Sequence, residues 1–272
     1  MNLAAIFGLL SAFTYGVGDF AAGMASRRDS PARVTALTHP LVCLFFVLLA
    51  LLRHEQTPHL ADLAWGAGAG LLGLGAVLLF YRALVLGPMG LVSVVSAALS
   101  ALIPVAVGAA LGELMTPHNL LGVALTIGGI VLLSLAPSHG GRGGVPPALL
   151  AGLGFGLFFV MLAQASPGSV FWPLAAARFA SSAVMVPFTA LREGLRPNRP
   201  WLLAAATPGD ALGNLFYMLA AQAGRMGIAG LLTGLYPVFT TLLAALFLHE
   251  RLRRLQWAGV VLALAGVPLV TN

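Results

Sequence analysis

The chain has 272 residues, 59% of them hydrophobic and only 8% charged, with a mean hydropathy of +0.96. A soluble domain carries about a quarter charged residues, so this composition excludes a water-soluble globule and leaves an integral membrane protein. The formal net charge of +6 does not signal nucleic acid, because the arginines are scattered among loops rather than striped along one face; contact with anionic membrane lipid accounts for it.

Ten apolar segments of about 17–23 residues are long enough to cross a bilayer: 3–24, 33–52, 63–85, 90–111, 119–135, 147–165, 171–191, 201–223, 227–248 and 255–271. They are predicted helices, since lipid offers backbone amides no partner and the runs are too long and unalternating for barrel strands. The first holds Ser11, Tyr15 and Asp19 at i, i+4 steps, hence on one face. It lacks a basic start and is followed by nine further spans, so it reads as a retained span rather than a cleaved signal peptide. The second opens with Arg33, carries His39 before Pro40, and contains Cys43, whose isolation excludes an intramolecular disulfide. In the third, Gly66, Gly68, Gly70, Gly73 and Gly75 form a small-residue seam suited to close helix packing. It ends in Tyr81-Arg82, and Gly87-Pro88 make the turn. The fourth carries Ser93, Ser96 and Ser100 and exits at Gly112-Glu113, whereas the fifth is plain. A flexible linker follows at 137–146.

Beyond the linker, the sixth segment repeats glycine at 152, 154 and 156, and the seventh contains Arg178. The eighth is the most polar, with Thr207-Pro208-Gly209-Asp210 at its middle, then Asn214 and Tyr217. Pro208-Gly209 is expected to break that helix, and Tyr236-Pro237 to kink the ninth. The tenth is plain, like the fifth. The resemblance between halves is quantitative: at a constant offset of 137, Ala220 falls on Ala83, Gly224 on Gly87, Gly227 on Gly90, Glu250 on Glu113, Gly259 on Gly122 and Gly266 on Gly129. The chain is therefore a duplication, with one five-helix repeat at 1–136 and another at 147–272. Five spans is an odd number, so the halves enter the membrane in opposite directions. The expected fold is an all-α membrane protein of ten helices in a 5+5 inverted repeat.

Tyr217-x-x-Ala220, Tyr236-Pro237-x-Phe239-Thr240, Leu248-x-Glu250-Arg251-Leu252 and Gln256-x-x-Gly259 together resemble the EamA family of the drug/metabolite transporter superfamily. The first half repeats the pattern more weakly, with Tyr81-x-Ala83-Leu84, Gly112-Glu113 and Gly122, and departs from it at Ser100, which stands opposite Pro237. The resemblance covers nearly the whole chain. It implies a secondary transporter of the cytoplasmic (inner) membrane, commonly an exporter of amino acids or other small metabolites, working by alternating access around a central cavity. A proton-coupled multidrug or cation exporter is the alternative, and a channel a further one, although a mid-helix Pro-Gly-Asp and a Tyr-Pro kink suit a rocking site better than a constant pore. No hydrolase elbow, H-E-x-x-H, Walker loop or cysteine cluster supports an enzyme. Because one chain already contains both halves, a functional monomer is expected, with a dimer as the other arrangement.

Function is sought in the polar residues inside the spans, since each ionisable group there costs about 2.5–3.5 kcal/mol to insert. Asp210 lies about 13 residues from the face where the first span starts, near the midplane, with Asn214 and Tyr217 about one turn further each. These three form a substrate-contacting strip, or else Asp210 caps the helix fragment after Pro208-Gly209. Arg178, about 9 Å shallower along the axis, either reaches Asp210 or snorkels to the surface. Asp19, His39 and Arg82 share a depth near the opposite face, as a rim ion pair or a proton-coupling group. Tyr15 and Tyr236 line the cavity or simply pack. Glu113 and Glu250 read as interfacial anchors and turn partners, and His54, His59, His118 and His249 make no recognisable metal site, so no metal or other cofactor is expected.

The transport centre is accordingly expected at Asp210 with Asn214, ahead of Asp19. On orientation two arguments diverge. With the N-terminus inside, the inner loops hold only Arg53 and Arg225, so the positive-inside rule puts both termini outside, whereas the resemblance implies them inside.

Overall fold

The computed structural model of the protein describes residues 3–26, 29–87, 89–134, 142–247 and 254–271. Pro88, half of the expected linker, and the motif residues Leu248, Glu250, Arg251 and Leu252, with His249, lie outside them. Among the described residues there are eleven α-helices, one 3-10 turn at Arg142–Gly144, and no strand. The first repeat supplies α1 (Leu3–Ala25), α2 (Pro31–Leu52), α3 (Leu60–Leu86), α4 (Met89–Ala110) and α5 (Pro117–Ser134). The second supplies α6 (Val145–Leu162), α7 (Phe171–Arg192), α8 (Pro200–Ala223), α9 (Met226–Thr233), α10 (Tyr236–Phe247) and α11 (Arg254–Thr271). Among the described residues seven helical stretches are long and apolar enough to cross a membrane, with α9 and α10 taken as one; α5 and α11 are shorter apolar helices, and the polar α8 is not among the seven.

Two expectations about helix breaks need correction. α8 runs unbroken through Pro208-Gly209. Proline removes one amide donor and crowds the carbonyl four residues back, but neighbouring helices can hold such a helix straight in a membrane. Here α1 lies against it at Gly209, and Thr207 Oγ1 donates to the Leu203 carbonyl at 2.8 Å. The fragment N-terminus imagined beside Asp210 therefore does not exist. Conversely, the kink expected at Tyr236-Pro237 is a full interruption at Gly234-Leu235. Pro237 then occupies the second position of α10, where a missing N–H costs nothing.

The outer surface is apolar and the interior partly polar. Leu41, Leu44, Leu48 and Leu51 of α2 and Phe179, Val184 and Phe188 of α7 are exposed, while Ser11, Ser96, Thr126, Arg178 and Asn214 are buried. That inversion suits lipid as solvent. Inside, α1 packs along α8 and across α9 and α10, α6 packs along α3 and across α4, α3 meets α7, and α8 meets α2. Exchanging α1 with α6, α2 with α7, α3 with α8, α4 with α9–α10, and α5 with α11 maps this list onto itself. The α5–α11 pair shows why at atomic scale. A Cβ on Gly122 would fall 2.8 Å from the Gly266 carbonyl, and one on Gly129 would fall 2.6 Å from that of Gly259. Between them Thr126 Oγ1 donates at 3.4 Å to the carbonyl of Ala263, its own counterpart 137 residues on.

Loops gather at two ends of the bundle. At one, Asp29 accepts from Asn198 N and Nδ2, and Arg33 donates to the carbonyls of Glu193 and Gly194. At the other, Glu55 accepts from the amides of Val170 (2.9 Å) and Phe171 (2.8 Å), and Glu113 from those of Met226 (2.8 Å) and Gly227 (3.1 Å). We refer to these as the Asp29 end and the Glu113 end.

Candidate functional site

α1 and α8 touch backbone to backbone. A Cβ on Gly209 would sit 2.3 Å from Gly18 Cα and 2.9 Å from the Thr14 carbonyl, so a side chain at this crossing would force the helices apart. The residues that follow, Asp19 and Asp210, consequently line one cavity of about 110 Å³. Tyr15, His39, Tyr81, Arg178 and Tyr236 line it too. Its walls on α1, α2, α3 and α8 come from the parts of those helices nearest the Asp29 end, as far as Ala22, Val34, Tyr81 and Ala206. Phe155, Phe158 and Phe159 of α6, with Arg178 of α7, come from nearer the Glu113 end and form the floor.

Arg178 is 6% exposed and reaches Asp210, Nη2 to Oδ1, at 2.5 Å, with its guanidinium 5.8 Å from the centre of the Phe158 ring. Asn214 Nδ2 donates to the same Asp210 oxygen at 2.9 Å and to the Asp210 carbonyl at 2.7 Å. Charge pairing is the condition for holding arginine in so dry a place, and deleting one partner of a buried pair typically costs about 3–5 kcal/mol. The pair is not saturated: Arg178 Nε and Asp210 Oδ2 have no hydrogen-bond partner among the described residues.

His39 sits 2.7 Å, through Nδ1, from Ser181 Oγ, which itself donates to the Arg178 carbonyl at 3.1 Å. When the Ser181 proton goes to the Arg178 carbonyl, a neutral His39 donates from Nδ1 and presents Nε2 as an acceptor. Asp19 differs from every other carboxylate described here in the membrane interior. It faces the cavity with neither a hydrogen bond nor an ion pair among the described residues.

The structure thus brings Asp210, Arg178, Tyr15, Tyr236, Asp19 and His39 to one cavity and places three anticipated residues elsewhere. Asn214 is 1% exposed and stands behind Asp210. Tyr217 is fully buried, its hydroxyl donating to the Phe159 carbonyl at 2.6 Å and its ring 4.4 Å from that of Phe159, so it supports the floor from behind. Arg82 is exposed and off the lining, and forms no rim pair with Asp19 or His39. Tyr81, Thr35 and Thr38 line the cavity without having been anticipated. A signal existed for the threonines, since Thr35, Thr38 and His39 fall on one face of an otherwise apolar helix.

The EamA-like transporter family model matches the chain twice, over residues 2–135 and 142–272. A crystal structure described only as that of a protein superposes with a TM-score of 0.80 at 20% identity, covering 98% of this chain and 95% of its own. No curated protein matches in sequence.

Proposed function

This chain belongs to the EamA-like transporter family, and on that premise we propose that it is a secondary carrier exporting a small polar or amphipathic metabolite across the cytoplasmic membrane by alternating access. The observation that carries this reading is the buried Arg178–Asp210 pair, facing a cavity that extends toward one end of the bundle and is floored before the other. A pore has no use for a floor. Asp210 is the centre of the proposed site, held by Arg178 and Asn214, with Tyr15 and Tyr236 as walls and His39 Nε2 as a proton acceptor.

Size favours a metabolite over a bulky drug. The cavity, about 110 Å³ and open on one side, is of the same order as the apolar void of about 150 Å³ that accommodates benzene, so it suits a solute whose body is no larger than one ring. Two matches to one family model, the self-mapping helix packing, and the contact of Thr126 with its counterpart Ala263 support two halves related by an axis in the membrane plane. Rocking one half against the other would close the Asp29 end and open the Glu113 end.

Counterflow in proteoliposomes tests this, with labelled phenylalanine and labelled phenethylamine as probes. A carrier exchanges label for unlabelled solute and saturates; Asp210→Asn, which strands the Arg178 charge, is expected to lower exchange per folded molecule recovered by about tenfold or more. Flux without saturation would make it a channel, and absence of exchange for both probes would sink the reading.

A further inference from the structure

The charges around the cavity do not cancel. From the second half come Arg178 and Asp210, already bonded to each other. From the first come His39, tied through Nδ1 to Ser181, and Asp19, with no hydrogen bond or ion pair among the described residues. Among the described residues Arg178 is the one arginine on the lining, and the sequence contains no lysine. The ionised lining therefore carries one negative charge in excess, located on Asp19.

Besides the Asp210 carboxylate, aromatic rings share that carboxylate's part of the cavity. Tyr15 lies one turn before it on α1, Tyr81 comes from α3 and Tyr236 from α10, and all three lie within electrostatic range of Asp19. Phe80 stands beside Tyr81, with ring centres 6.0 Å apart, and also lines the cavity. Aromatic faces attract cations through the ring quadrupole, more strongly where water is sparse, and a carboxylate set among them completes a site for a positive group. Arg178 keeps an unpartnered Nε–H, but its charge is already paired with Asp210, so a substrate carboxylate would have to compete with that carboxylate for it.

We propose that Asp19 is the ammonium-binding residue of this cavity and that the substrate is a small monoamine with an apolar or aromatic body. Its cationic group pairs with the Asp19 carboxylate among Tyr15, Tyr81 and Tyr236, and its body lies toward Phe155 and Phe158. The Arg178–Asp210 pair closes the deep side and excludes a second charge. This rests on the carrier reading for the cavity's purpose, but it concerns binding alone.

The test uses the purified full-length chain in detergent and three probes sharing one body: phenethylamine, phenylalanine and 3-phenylpropionate. Thermal unfolding reports binding, because a ligand that binds only the folded state raises the midpoint. Phenethylamine should raise it by several degrees, phenylalanine should need about tenfold more ligand or greater, and 3-phenylpropionate should do nothing. Asp19→Asn should abolish the phenethylamine shift, and Asp19→Glu should retain part of it. The proposal is overturned if phenylalanine or 3-phenylpropionate matches phenethylamine, if Asp19→Asn still responds, if sodium chloride alone reproduces the shift, or if millimolar phenethylamine gives none. The ranking of probes on the unmutated protein decides the matter even where a variant does not fold. Phenethylamine binding without counterflow would sink the carrier reading alone; phenylalanine counterflow without phenethylamine binding would sink this one alone.

Discussion

Asp29 is a carboxylate whose position, between α1 and α2, keeps it clear of the spans. It is 4% exposed and accepts from Arg33 Nη1 at 3.0 Å, Asn198 N at 3.0 Å and Asn198 Nδ2 at 2.8 Å. Burial alone would raise its pKa, but the hydrogen bonds from Arg33 and Asn198 outweigh that and hold it below the ordinary carboxylate value. A depressed folded pKa means its stabilisation is complete above the unfolded value of about 3.9 and is lost as pH falls through the folded one. Asp29→Asn is thus expected to cost about 1–3 kcal/mol at neutral pH, with the gap to the wild type narrowing below about pH 4. Melting curves of both proteins from pH 7 down to pH 3 check this; a gap independent of pH would show that the charge is irrelevant.

Residue depth was only partly legible in the sequence. Counting from segment ends left Arg178 and Asp210 about 9 Å apart along the axis, a gap the long arginine side chain closes. The same counting separated Asp19 from Asp210, and there it misled. Such counts treat every helix as upright, whereas the crossing of α1 and α8 is fixed by Gly18 against Gly209. No single segment records that contact, because it depends on a pair of glycines 191 residues apart.

At the scale of elements, the described glutamates share a job. Glu55, just past α2, holds the first amides of α7; Glu113, just past α4, holds those of α9; Glu193, just past α7, meets Ser30, the residue that caps α2. Each ties one repeat to the start of a helix in the other, where unpaired N–H groups and the helix dipole favour a negative charge. The sequence marked Glu113 as a turn partner but could not name its partner, because amide groups at a helix start carry no residue signature. If the Glu113 contact keeps that end closed, Glu113→Gln should loosen it by about 1–2 kcal/mol. In a Cys43-free background, a cysteine replacing the buried Ala229 should then react with maleimide several-fold faster than it does beside Glu113. Equal rates would mean the contact does not gate access.

Hydropathy located the helices well, because a span must be long and apolar whatever it packs against. The interruptions were harder to read. Pro208 leaves α8 intact while the chain breaks at Gly234, where a Cβ would lie 2.5 Å from Ala101 of α4. Whether a helix yields is decided by the neighbour pressed against it, which the local sequence does not contain.

For the molecule as a whole, the repeat was legible as the 137-residue offset, yet the cavity does not obey it. One offset before Asp210 stands Gly73, and one offset after Asp19 stands Gly156. Backbone shape is shared between the halves, while charge is divided: Asp19 and His39 belong to one, Arg178 and Asp210 to the other. Two copies of the first half would face each other with paired acids and no arginine; two copies of the second would have no Asp19. The covalent join at 137–141 is then dispensable, but the pairing of unlike halves is not. Expressed as separate polypeptides, 1–136 and 142–272 should reconstitute phenethylamine counterflow only when made together, and neither should do so alone. Activity from either fragment by itself would mean a self-assembled pair suffices. Inheritance as one gene would, on this account, guarantee equal numbers of two parts that can no longer stand in for each other.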